Sequence, residues 1–476
     1  MSFTAPARHG RRLHASTWFL WGLAVTAAAS VGVALRLPFV DAPLTADEGG
    51  YAEIARLWSH GYRLYQGVWV DRPQGLILVF RGARGLGLVS ASGFRAVAAG
   101  FAVLLVVLSA LVGERTGGWG RGLVVAALVA TAGASPFVES FALSGELIAS
   151  VVTAAAILLF VRYTESGRAS WLLGSGLCAG SAWMVKQSAV DAAVTVGVCL
   201  ALRRCTLSHL ALFVSACAAP IVTGVLASGD PGAWYGAVIG YGLHASGTEI
   251  TLLERWTQFR RSLAPAAKAL GPVAALAAIG WRRAPTLARV WLAAAAAGVL
   301  FGGGFHAHYY LQLAVPLAFV AAFITLSGWL KVATVAAVAT GTLAFAAPLW
   351  NATDAAQARA IWPVDTHLQS DVAVARFVRK HSRPSQQIYV LWAAADVYYL
   401  ADRRPALPYL WYRNTQTIGG AIENVRELLD RRAAALVVTE QSPSKLDPSG
   451  ATAAVLHRNF HVDGRVDGVD IYGPTR

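Results

Sequence analysis

The sequence predicts a polytopic α-helical membrane protein with about eleven transmembrane helices and a small α/β domain outside the membrane at its C-terminal end. Three observations carry this expectation. Hydrophobic residues make up 56% of the 476 residues and charged ones 14%, where a soluble globular protein carries about 25% charge. The apolar residues gather in runs of about 20, long enough to cross a bilayer. The Arg residues cluster in the short turns between those runs, as cytoplasmic loops do under the positive-inside rule. The same distribution argues against nucleic acid as a partner, because the net charge of +14 is scattered over turns and not gathered on one face.

Taken in order, the first span is 17–40. Arg8, Arg11 and Arg12 precede it, as in a signal peptide. The run is long enough to span, however, and no small-residue cleavage site follows it. Residues 1–16 are therefore expected in the cytoplasm. Residues 41–92 then lie outside. Within them Tyr51, Ile54, Ala55 and Trp58 share one helix face, and the pattern stops at Gly61. Residues 74–89 are apolar but broken by Arg81 and Arg84. Both stretches suit helices lying in the interface plane.

Further spans are expected at 94–113, 121–136, 146–162 and 170–185. A sixth returns to Arg203-Arg204, and a seventh covers 207–227. An external loop over 228–262, rich in Gly, Trp and Tyr, leads to an eighth over 263–281. A ninth exits at Gly302-Gly303-Gly304, a tenth runs inward to 328, and the eleventh ends at Trp350. This order puts Arg115/Arg121, Arg162/Arg168, Arg203/Arg204 and Arg282/Arg283 on the inside, whereas a span at 74–89 would move them all out. The membrane module is thus 17–350. Over 351–476 the pattern changes to an amphipathic helix at 371–380, a strand at 388–392, a helix at 422–432 and a strand at 435–439. This alternation predicts the small external α/β domain. Cys178, Cys199, Cys205 and Cys217 lie in or beside apolar runs without Cys-x-x-Cys spacing, and read as small buried hydrophobes.

This topology brings polar residues from distant parts of the chain to one membrane face: Asp47, Glu48 and Tyr51; Arg72 and Gln74; Glu139 and Glu146; Lys186 and Gln187; His306, His308, Tyr309 and Tyr310. Charges at such a depth usually face a cavity and mark a functional path. A phosphate leaving group gains negative charge and needs Arg or Lys. An acceptor hydroxyl needs a carboxylate base within hydrogen-bond reach. A donor whose phosphate is tied to a lipid would explain a site at the membrane surface.

Plainer roles stand beside these. Asp47 and Glu48 suit a helix N-terminus, and Glu146 a helix cap. Arg72 suits a headgroup anchor, Lys186 a snorkelling side chain, and His308 with Tyr309 an aromatic belt. His306 and His308 are spaced two apart, which disfavours shared metal ligation on a helix. Glu139 reads as a loop acid.

Residues 45–75, Thr-Ala-Asp-Glu-Gly-Gly-Tyr-Ala-Glu-Ile-Ala-Arg through Asp71-Arg72-Pro73-Gln74-Gly75, resemble the first external loop of GT-C membrane glycosyltransferases. The nearest branch is bacterial glycosyltransferase family 39, whose relatives include the protein O-mannosyltransferases and the lipid A aminoarabinose transferases. The likeness extends through Glu146, Gly180 to Lys186, and His308-Tyr309-Tyr310 with Pro316. It implies a GT-C-like fold over 17–350, with Asp47 as the base or orienter of the acceptor hydroxyl and Glu48 as its partner. It implies Glu146 as the second-loop acid, a position usually held by Asp. Arg72 and Lys186 would hold the donor phosphate, and Tyr51, His308 and Tyr309 would join them in binding substrate. The implied reaction moves a sugar from a polyprenyl-phosphate donor to a hydroxyl on a lipid, glycan or protein acceptor. It proceeds by one inverting displacement on the outer face of the cytoplasmic (inner) membrane, with no cofactor and no bound metal. Two departures stand out. Gln74 replaces the second Pro of the family's Lys/Arg-Pro-Pro, and Gly49-Gly50 stand where the lipid A branch tends to carry Arg before the Tyr.

A polytopic transporter or lipid flippase is the competing reading. Transporters tend to place charges near the bilayer midplane between repeated halves, whereas here the acids cluster at span ends and the halves differ. Single cysteines at positions 47 and 146, in a chain with the four native cysteines replaced, should react with an impermeant thiol reagent from one membrane face only. Labelling from both faces would favour transport.

Overall fold

The computed structural model describes residues 15–248, 251–301, 304–363, 368–391 and 394–475. Arg8, Arg11, Arg12, Gly302-Gly303 and Trp392 of the reading above lie outside the described residues. Eleven helical segments among the described residues stand where the spans were expected: Ala15–Ala34, Ala91–Gly117, Trp119–Ala132, Gly145–Ser166, Ala169–Val185, Asp191–Leu202, Leu207–Ala227, Leu252–Gly280, Thr286–Phe301, Ala307–Ala321 and Gly328–Trp350. Six of them are long and apolar enough to cross a membrane by themselves. The protein is a multi-pass membrane protein with a helical core. The tenth segment opens with a 3-10 turn, Ala307–Leu313, which carries His308 and Tyr309.

The first external stretch holds two short helices, Ala46–Ser59 and Gln74–Gly85. They are about 21 and 18 Å long, against about 30 Å of hydrocarbon, so neither can span. The second external stretch is more ordered than expected. Asp230 accepts from the Ala233 N–H at 2.9 Å and starts a helical run over Pro231–Tyr235, Gly236–Gly240 and Tyr241–Thr248. The eighth helix begins at Leu252 and not near 263, because Thr251 and Glu254 form a reciprocal cap there. The loop expected to reach 262 therefore ends about one helical turn after 248.

Beyond Trp350 the chain folds into a five-stranded sheet with helices on it. The strands are β1 (Gln387–Val390), β2 (Arg404–Pro405), β3 (Leu436–Thr439), β4 (Phe460–Val466) and β5 (Val469–Pro474), in the order β2-β1-β3-β5-β4. β1 runs parallel to β2 and β3, while β5 is antiparallel to both β3 and β4. The expected strands at 388–392 and 435–439 are β1 and β3, and the expected helices are Ser370–Lys380 and Ala421–Asp430. β2 and the β4–β5 hairpin were not foreseen. The hairpin turns on Asp467-Gly468, both with positive φ (49° and 85°), as a tight two-residue hairpin turn requires.

Alternate strand residues face opposite ways, and here they join different cores. Tyr389, Leu391 and Val437 pack with Val425, Leu429 and Leu456 of the outer helices. Ile388, Val390, Leu436, Val438 and Ile471 belong to the apolar cluster that continues into the membrane helices. The domain is therefore docked by one whole face of its sheet, through Ser370–Lys380 and Asp396–Ala401. The latter helix lies on Ala46–Ser59 so closely that a Cβ on Gly49 would sit 2.2 Å from the Asp396 Cβ, and one on Gly50 2.4 Å from the Trp411 ring. Arg56 donates to Asp402 at 2.6 Å, the Tyr399 hydroxyl to the Val89 carbonyl at 2.6 Å, and the Trp69 N–H to the Pro408 carbonyl at 3.1 Å. Gly49-Gly50 thus fit a close helix contact with the C-terminal domain.

Gly49→Ala should lower the thermal unfolding midpoint, since overpacking costs about 1–3 kcal/mol. Gly100→Ala, where a Cβ meets nothing within 4 Å, should not lower it. Equal midpoints for the two variants would refute the close docking.

Candidate active site

The first external helix starts with a reciprocal cap. The Thr45 hydroxyl accepts from the Glu48 N–H at 3.1 Å, and the Glu48 carboxylate accepts from the Thr45 N–H at 3.3 Å. Glu48 is buried, at 2% exposure, and its carboxylate does more than cap. It pairs with Arg95 at the start of the second span and accepts from the Leu143 N–H at 2.8 Å. Arg95 in turn donates to the Pro43 carbonyl at 3.1 Å and lies over the Phe141 ring. Glu48 lines the cavity described below, yet its oxygens are committed to Thr45, Arg95 and Leu143. Its place is that of a tie between the helix, a span and the loop over 139–144.

Asp47, one residue earlier, is different. It is half-buried and makes no hydrogen bond or ion pair among the described residues. Burial raises its carboxyl above the usual aspartate range, although His308 and Arg72 pull the other way.

Arg72 and Lys186 are brought together by the residues after Arg72. Gln74 is buried and accepts from the Tyr65 hydroxyl at 3.0 Å and the Trp234 indole at 2.8 Å, while donating to the Gly224 carbonyl. Gly75 lies against the end of the fifth span, where a Cβ would be 2.4 Å from the Met184 carbonyl oxygen. Gln187 donates to the carbonyls of Asp71 and Val238. Arg72 pairs with Asp71 at 2.6 Å. Lys186 is buried, pairs with Glu146 at the start of the fourth span, and sits 3.7 Å from the centroid of the Tyr309 ring. The His308 ring lies between two acids, with Nδ1 3.2 Å from Glu139 and Nε2 3.6 Å from Glu146. Burial alone would raise the Glu139 carboxyl, but His308 outweighs it and holds the group below its ordinary value.

These side chains enclose a cavity of about 30 Å³, room for about two waters. Asp47, Glu48, Tyr51, Arg72, Glu139, Glu146, Lys186 and His308 line it, while Tyr309 stands behind Lys186. The Tyr51 ring is fixed between Phe80 and Trp411, 5.9 and 5.6 Å away. His306 is outside the lining, with its ring parallel to that of His308 at 5.5 Å. Among the described residues no three His, Cys, Asp or Glu side chains are grouped to hold a metal ion. The sequence reading passed over Arg95, a lone cation at the head of an apolar run, and took Glu139 for a loop acid. It set Gln74 on the polar face and noted it as a substitution, but did not foresee its buried contacts. In chemical terms the site sets one carboxylate without a hydrogen bond or ion pair among the described residues in the same cavity as two cations, each held by an acid.

By sequence the chain matches no family model and no curated protein. By structure it is similar to the crystal structure of ArnT from Cupriavidus metallidurans bound to undecaprenyl phosphate. The TM-score is 0.63 at 15% identity, over 96% of this chain and 98% of that one. The apo state of the same protein gives a TM-score of 0.63 at 14% identity, with the same coverage. At that identity the likeness is one of fold. The chain shares that protein's fold over nearly its whole length, in keeping with the GT-C-like fold that its first loop led one to expect.

Glu48→Gln or Arg95→Ala should lower the unfolding midpoint strongly, since breaking a buried pair from one side costs roughly 3–5 kcal/mol. Asp47→Asn should leave it near that of the unaltered protein. Both are read by thermal unfolding in detergent.

Proposed function

We propose that the protein is a membrane glycosyltransferase that moves a sugar from a polyprenyl-phosphate donor to an acceptor hydroxyl. The observation that carries this reading is the contrast at the cavity wall: Asp47 has no partner among the described residues, while Arg72 and Lys186 stand across from it with carboxylates in attendance. A donor phosphate entering the cavity would share or displace Asp71 and Glu146 on those two cations. The acceptor hydroxyl would give its proton to Asp47. Its oxygen would bond to the anomeric carbon as the bond from that carbon to the phosphate oxygen breaks. The released polyprenyl phosphate would carry the new negative charge onto Arg72 and Lys186. One displacement inverts the anomeric centre.

A base is most useful when its pKa lies toward the working pH, and burial moves the Asp47 carboxyl in that direction. Glu48 holds the helix that aims Asp47, Glu146 and Tyr309 hold the Lys186 ammonium, and Tyr51 walls the acceptor side. The fold shared with a protein crystallised with undecaprenyl phosphate supports a lipid-phosphate ligand. The positive-inside pattern supports a site on the outer face of the cytoplasmic membrane, with the N-terminus inside and the C-terminal domain outside. Lipid, glycan and protein hydroxyls all fit this chemistry as acceptors. The cavity as it stands is too small for a sugar phosphate, so the walls must part for substrate.

The test is a screen of the purified protein with defined polyprenyl-phosphate sugars, read by mass spectrometry of the product. Asp47→Asn should cut transfer by about 10²–10⁴, the usual contribution of a general base. Full turnover in that variant would refute the assignment. Because the Asp47 carboxyl is raised, the ionised base is lost as pH falls through a value above the ordinary aspartate range. The acid limb of the rate profile should therefore sit above that range.

A further inference from the structure

We infer that Glu139 is a positioning residue for the donor phosphate: acting through His308, it loosens the hold of Glu146 on Lys186 and frees that ammonium for the phosphate. The inference deepens the proposed transfer reaction and rests on it. Three observations lead there.

The first is the backbone at Glu139. It sits at φ 52°, ψ 33°, in the left-handed region, just after the short turn Pro136–Val138. A residue with a Cβ is strained there by about 1–2 kcal/mol. Such strain persists where surrounding structure holds it, often at functional sites. The turn is held by the Glu139 N–H donating to the Pro136 carbonyl, the Ala142 N–H to the Glu139 carbonyl and the Ser140 hydroxyl to the Ser135 carbonyl. The turn has no use for the carboxylate, which pairs with His308 and has the Trp362 indole beside it.

The second is the His308 ring. Both of its nitrogens face carboxylates, Glu139 on one side and Glu146 on the other. A neutral imidazole has one N–H and would turn a lone pair toward one of those acids. Only the imidazolium has a proton for each. Around it stand Glu139, Glu146, Lys186 beyond Glu146, Asp47 in the same cavity, and the rings of His306 and Tyr309 on its own segment.

The third is that Glu146 is shared. Lys186 and His308 both approach its Oε1. A carboxylate with two cationic neighbours can release one and still be paired. With an uncharged His308, Glu146 would belong to Lys186 alone, and a phosphate reaching Lys186 would strand a buried acid, which is costly. Glu139 therefore acts through His308, although it stands in the same cavity wall. It keeps the charge on His308, His308 keeps company with Glu146, and Lys186 becomes available.

The probe is undecaprenyl phosphate, titrated onto the full chain in nanodiscs. Glu139→Gln should weaken its binding by about tenfold, the scale of a lost charge-assisted hydrogen bond, while Glu139→Asp, which keeps the charge, should hold near wild-type affinity. His308→Gln, which offers Glu139 an N–H but carries no charge, should lose as much, and the double variant should lose no more than His308→Gln alone. Equal affinity in Glu139→Gln and the wild type, equal losses in the Gln and Asp variants, or losses that add in the double variant would each overturn the inference. If Glu139→Gln does not fold, His308→Gln decides: wild-type affinity there overturns it, and a tenfold loss supports it. A wild-type chain that does not bind undecaprenyl phosphate would overturn the proposed lipid-phosphate donor itself, and the inference with it.

Discussion

A carboxylate taken out of water must find partners or give up its charge, and the site depends on how one carboxylate meets that demand. Glu48 finds Thr45, Arg95 and the Leu143 N–H. Those three belong to the first external helix, the second span and the loop before the fourth. One side chain therefore fixes three otherwise separate parts of the chain against each other. Asp47 is adjacent on the same helix turn and inherits its direction from that tie. It can stay without a partner because its neighbour holds the helix for it. The two acids of one dipeptide have opposite conditions, one saturated and one open, and this division gives the pair its use.

The rest of the charge pattern follows the same logic with smaller margins. Arg72 has Asp71, Lys186 has Glu146, and His308 has Glu139 and a share of Glu146. Each cation is paired with a neighbouring acid, Asp71 outside the cavity lining and Glu146 and Glu139 within it, so none of these charges is left bare. The burial of Glu139, Glu146 and Lys186 strengthens each of these pairings relative to water.

Much of this was legible in the sequence because it repeats locally. Eleven apolar runs gave eleven helical segments among the described residues, and the short apolar stretches read as strands at 388–392 and 435–439 became β1 and β3, inner strands of the sheet. Of the residues that the topology placed on one face, Asp47, Glu48, Tyr51, Arg72, Glu139, Glu146, Lys186 and His308 line one cavity, while Gln74, Gln187, His306, Tyr309 and Tyr310 do not. What escaped was carried by contacts between distant residues. Arg95 meets Glu48 across 47 positions, and His308 meets Glu139 across 169. A lone Arg or Glu at a run's edge gives no sign of such a partner. Gln74 looked like a lapse from a motif and is a buried hub for Tyr65, Trp234 and Gly224. The β4–β5 hairpin did leave a local mark, Asp467-Gly468, which was overlooked. The early start of the eighth helix left one too, in Thr251 and Glu254.

The sheet of the C-terminal domain gives one of its faces to the membrane core, and its Trp411 walls Tyr51 at the cavity. This has a consequence for the timing of synthesis. A ribosome makes the residues that line the cavity, from Thr45 to His308, before residues 396–411, which pack on the first external helix. Until those residues dock on Gly49-Gly50, the helix that carries Asp47 and Tyr51 lacks its outer neighbour. The cavity lining is therefore complete in the chain before the packing that holds its first helix in place has been made.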